Sequence, residues 1–132
     1  MHRLSTWNLD HGPAAATRAR ERLVEYVLAT RPGADAVALR EDLYALLLLT
    51  SELVTNAVRH GVGPVSMSAE PWGNGLRVSV RDAGPAMPQE RTPELLAESG
   101  RGLFLVESMS SAWGVESEAV GKTVWFRLDP IV

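Results

Sequence analysis

The sequence contains no cysteine. That excludes disulfide scaffolds, thiolate metal sites and cysteine nucleophiles. No apolar run approaches the ~20 residues a membrane-spanning helix needs. The first residues, Met1-His2-Arg3-Leu4-Ser5, lack the apolar stretch of a secretory signal. Basic residues are not in excess: 13 Lys and Arg stand against 16 Asp and Glu, a net charge of −3. A nucleic-acid binder working through a broadly basic surface is therefore not expected. Tandem repeats are absent, and the one biased stretch is the short Ala14-Ala15-Ala16 run.

Apolar residue types make up 45% of the chain, enough for one sizeable core. Its 132 residues match one domain at about 150 residues per domain. The expectation is a single soluble, cytoplasmic domain over residues 1–132, without a membrane partner.

Hydrophobic spacing orders the elements. Leu4 to Leu9 reads as a strand, ended by Asp10-His11-Gly12-Pro13. Ala14 to Thr30 reads as a helix, with Leu23, Val27 and Leu28 at helical spacing and Pro32-Gly33 as its stop. Ala36 to His60 holds no Gly or Pro and reads as a helix of about 25 residues, roughly 37 Å long. Leu46 to Leu49 is apolar all round, so this helix should be covered on more than one side. Pro64 to Ala69 and Leu76 to Val80 alternate around Trp72-Gly73-Asn74-Gly75, the pattern of a β-hairpin. Pro85 to Ser99 carries three prolines and is long for a connection, a mark of a lid or binding loop. Gly100-Arg101-Gly102 opens a further apolar helix. Trp113 to Ser117 and Lys122 to Leu128 read as a last strand pair. The order β-α-α-β-β-(lid)-α-β-β predicts an α/β (α+β) two-layer sandwich: a mixed, largely antiparallel sheet with helices on one face. Trp7, Trp72, Trp113 and Trp125 fall on strands or their ends and read as core or sheet-surface packing.

Four small constellations could carry chemistry. Glu52, Asn56 and His60 follow at steps of four on the long helix and form a slanted polar stripe. Glu52 supplies an acceptor or base, and Asn56 an amide oxygen suited to a hard cation such as Mg²⁺. Arg59 is placed to reach a phosphate. The same residues would also suit a plain solvated helix face. Asp82 ends a strand before Ala83-Gly84. A carboxylate there can accept from an exocyclic amine, and Gly84 lets a flat ligand approach. Asp-x-Gly-Pro is equally good turn chemistry. Gly100-Arg101-Gly102 precedes a helix and can aim N–H groups at a di- or triphosphate, although a lone Gly-x-Gly is weak. It is neither a P-loop nor a dinucleotide fingerprint. Thr123 could bond a base or a water near Asp82, or simply be a good strand former. His2, His11 and His60 lack metal-ligand spacing.

Taken in order, these segments resemble one family. Glu52-Leu53-Val54-Thr55-Asn56-Ala57-Val58-Arg59-His60-Gly61 resembles the N box of the GHKL ATPase superfamily, which includes gyrase, histidine kinases and MutL. Asp82-Ala83-Gly84-Pro85-Ala86 looks like its G1 box, Gly100 to Val106 like its G2 box, and Gly121-Lys122-Thr123 like its closing Gly-Thr element. The wording is most similar to the anti-sigma-factor serine kinases, and it covers roughly residues 4 to 129. One departure is clear: Ala86 stands where the G1 box usually has its second glycine.

The resemblance implies a Bergerat ATP-binding fold with ATP and Mg²⁺ as cofactors. Asn56 would hold Mg²⁺, and Glu52 would be the general base. Arg59 and His60 would lie by the phosphates. Asp82 and Gly84 would take the adenine. Gly100, Arg101, Gly102 and Leu103 would meet the phosphates, Thr123 would support the adenine end, and Pro85 to Ser99 would be the ATP lid. The implied function is a protein serine/threonine kinase that phosphorylates an antagonist protein in a partner-switching pathway. Its partners would be a sigma factor and that antagonist, with a homodimer as a further expectation and the Leu4–Leu9 edge as its interface. The alternative, which Ala86 favours, is a catalytically silent ATP-binding module that sequesters a regulatory partner.

Overall fold

The computed structural model describes residues 4–31, 36–84 and 105–131, with 36–40 as backbone. In chain order the elements are β1 (Ser5–Asp10), α1 (Ala15–Thr30), α2 (Ala36–His60), β2 (Val65–Trp72), β3 (Gly75–Asp82), β4 (Ala112–Ser117) and β5 (Lys122–Leu128). Residues 105–109 are also helical. The five strands form one sheet in the order β1-β2-β3-β5-β4. Every pairing among the described residues is antiparallel, so the mixed sheet of the sequence reading becomes an antiparallel one.

Alternation explains which face is buried. Val65, Met67 and Ala69 of β2, Val78 and Val80 of β3, and Phe126 of β5 are all core residues. Their neighbours Ser66, Ser68, Arg77, Ser79, Trp125 and Arg127 are only partly buried. Directly paired residues share a face, so the inward rows of β2, β3 and β5 merge into one apolar surface.

Two helices cover it. On α1, Ala15, Ala19, Leu23, Tyr26 and Val27 are buried, a stripe at helical spacing. On α2, Leu46, Leu49, Thr50, Leu53, Val54 and Ala57 form a second stripe. Leu47 is partly buried against the same core, so the apolar run is covered on more than one side. The ring of Tyr26 meets Trp7 of β1 edge-on, with centroids 6.0 Å apart at 90°. Arg20 of α1 donates to the Ser51 hydroxyl at 3.0 Å, tying the helices together beside Glu52.

The hairpin is tighter than expected. β2 continues past Ala69 to Trp72, which pairs with Gly75. Pro71 is tolerated because it lies beyond the last β1 pair, Ser5 with Ala69, where β2 becomes an edge. Arg31 closes this end of the molecule, donating to the Ile131 carbonyl at 3.1 Å and the Gly75 carbonyl at 3.2 Å. A cavity of about 300 Å³ opens here, lined by Arg31, Asn74 and Ile131 among others. β1 is an edge strand, as expected. No helix among the described residues is long and apolar enough to cross a membrane.

Candidate nucleotide-binding site

The polar stripe of α2 survives to the helix end. Leu53, Val54 and Ala57 pin the helix to the core. Glu52, Asn56 and His60 are half-buried beside them, and Arg59 is exposed. At about 100° per residue, all four side chains leave the helix within an arc of about 100°. The structure therefore keeps them together as one face.

The same helix end meets Asp82. Gly61 N–H closes the helix on the Ala57 carbonyl at 2.9 Å. A β-carbon on Gly61 would lie 2.5 Å from the Asp82 carboxyl carbon. Only a glycine lets the backbone come this close. The chain then runs alongside β3: Ala83 N–H donates to the Val62 carbonyl at 2.9 Å. From Asn56 to Gly61 is five residues, about 7.5 Å along the axis. Asp82 therefore sits against the C-terminal end of α2, five residues beyond Asn56.

Asp82 is 2% exposed. Its Oδ1 accepts from the Gly84 N–H at 2.8 Å, an Asx-type turn that fixes the carboxylate. Its Oδ2 lies 3.7 Å from Lys122 Nζ. Gly121, at φ +104°, would place a β-carbon 3.4 Å from Ala83 Cα, so β5 also approaches β3 closely. Three segments thus converge on Asp82: the end of α2, the end of β3 and the start of β5.

Thr123 is not part of this cluster. It pairs with Arg81, while Lys122 pairs with Asp82. Since paired residues share a face, Thr123 lies on the outer face and Lys122 on the helix side. Lys122 was missed by the sequence reading, although the inward row of Val124, Phe126 and Leu128 points to it by alternation. Gly61 enters the sequence reading only as the last residue of the N-box resemblance, not as a close approach. The expectations for Ala86, the Pro85–Ser99 lid and Gly100, Arg101, Gly102 and Leu103 lie outside the described residues.

The donor set fits a nucleotide with a phosphate-bound cation. No group of three His, Asp or Glu residues able to hold a metal occurs among the described residues. Asn56 would hold a Mg²⁺ through its amide oxygen, with phosphate oxygens and waters as the remaining ligands. The buried Asp82 carboxylate offers an acceptor to a base amine.

Fold and site together are those of an α+β domain with a candidate nucleotide site at the end of α2. The family model for the histidine kinase-like ATPase domain matches residues 11–128, and the chain belongs to that family. Among solved structures, it is similar to the histidine kinase domain of the Erythrobacter litoralis EL346 blue-light activated histidine kinase. The identity is 23%, the TM-score is 0.56, and the match covers 89% of this chain. It spans 64% of that chain, so the likeness concerns the shared fold. No match is found among curated proteins.

Proposed function

We propose that this domain binds ATP with Mg²⁺ and transfers the γ-phosphoryl group to a serine or threonine of a small antagonist protein. The partner-switching counterpart would be a sigma factor, and the active form a homodimer. The observation that supports this is the placement of Glu52 one helical turn before Asn56 on a single half-buried face.

Each residue has a stated part. Asp82 accepts from the base amine, with its carboxylate fixed by the Gly84 N–H and by the close approach of Gly61. Asn56 offers its amide oxygen to the cation, and Arg59 balances phosphate charge. Bound Mg²⁺ supplies charge neutralisation on the phosphates. Glu52 takes the proton of the attacking hydroxyl. The hydroxyl oxygen forms the new bond to the γ-phosphorus, the bond to the β-γ bridging oxygen breaks, and ADP leaves with that electron pair. Positioning and electrostatics suffice for this chemistry.

Labelling host proteins with [γ-³²P]ATP tests the reading. The expected result is an acid-stable label on Ser or Thr that Glu52→Gln abolishes. An acid-labile histidine label, or no label, contradicts it. Ala86 in the G1 box favours the second reading, an ATP-binding module that sequesters its partner without transfer. In that case Asn56→Ala weakens nucleotide-dependent capture and no partner is phosphorylated.

A further inference from the structure

We propose that Lys122 determines base specificity: with Asp82 it forms an acceptor–donor pair that reads the amino group and the adjacent ring nitrogen of adenine. This rests on the ATP-binding reading above and adds a residue to it.

The ion pair alone leaves both groups with unused hydrogen-bonding capacity. Asp82 is 2% exposed, and the Lys122 side chain is 12% exposed. Burying both charges is costly unless close hydrogen bonds compensate. Their separation of 3.7 Å exceeds hydrogen-bonding range, which ends near 3.2 Å. Oδ2 therefore keeps acceptor capacity, and Nζ beside it keeps its donors. Adenine presents a complementary edge, with the N6 amine as donor and N1 as acceptor on neighbouring positions. Guanine reverses the order there, with O6 as acceptor and N1–H as donor.

The backbone leading into Lys122 is also held in place. Arg81 donates to the Val120 carbonyl at 2.9 Å and to Glu118 at 3.0 Å, pinning the turn that leads into Lys122. Gly121 at φ +104° brings that turn against β3. The β3–β5 register then sets Lys122 opposite Asp82. Backbone placed this way fixes the position from which Lys122 reaches Asp82.

Calorimetry with ATP and 1-deaza-ATP, in which C–H replaces N1, tests the proposal on the full chain. A hydrogen bond to a charged group corresponds to about tenfold or more in affinity. Wild type should therefore bind ATP at least about tenfold more tightly than the analogue. Lys122→Met should bind the two alike, with Lys122→Ala in its place where the methionine variant does not melt cooperatively. A role confined to holding Asp82 would weaken both nucleotides equally and leave the preference intact. Equal binding by wild type, or a preference retained without Lys122, overturns the proposal alone. A wild-type protein that binds neither nucleotide overturns the ATP-binding reading as well.

Discussion

The β-carbon that Gly61 lacks would lie 2.5 Å from the carboxyl carbon of Asp82. That contact joins the end of the long helix to the end of β3, so the buried acid sits just past the polar residues of α2. Gly61→Ala must therefore push α2 away from Asp82. Overpacking of this kind costs about 1–3 kcal/mol. Urea denaturation should show a loss in that range, and calorimetry should show ATP binding weakened by more than about tenfold.

Asn56 is half-buried and makes no part of the apolar stripe. Asn56→Ala should change stability by less than about 1 kcal/mol. Its effect should fall on the cation. ATP affinity measured with Mg²⁺ and with EDTA should differ strongly in wild type and little in the variant.

Thr123 lies on the outer face of the sheet, opposite Arg81. Thr123→Val should leave ATP affinity unchanged and alter stability by no more than about 0.5 kcal/mol. A loss of binding beyond about threefold, with folding intact, would place Thr123 in the site after all.

Burial raises the pKa of the Tyr26 phenol, with the nearby Glu70 carboxylate adding to the rise and Arg31 opposing it. A group with a raised folded pKa contributes stability that is present below its unfolded value and lost as pH climbs through the folded one. Stability should therefore fall above about pH 10. Tyr26→Phe should flatten that fall in denaturation curves taken from pH 9 to 12.

Much of this was legible in the residues. α2 runs from Ala36 to His60, as the absence of Gly and Pro required. The Glu52–Asn56–His60 stripe followed from helical geometry, and the alternation of Val65, Met67, Val78 and Val80 gave the hairpin and its buried face. What depended on pairing between distant strands was not legible. The β3–β5 register decides that Lys122, not Thr123, faces Asp82, and a one-residue change would exchange them. The insertion of β5 between β3 and β4 is likewise a long-range choice. The close approach at Gly61 was not legible because it depends on Asp82, 21 positions away in the sequence.

The central claim is that Asp82 forms the floor of an adenine-nucleotide site at the end of α2. Thermal melting of wild type and Asp82→Asn, with and without ATP and Mg²⁺, tests it most directly. At a ligand concentration 100 times Kd, wild type should gain about 2.7 kcal/mol, roughly 10 °C for a chain of this size. Asp82→Asn should melt cooperatively and gain almost nothing. An unchanged wild-type melting point, or an equal rise in the Asp82→Asn variant, would contradict the account.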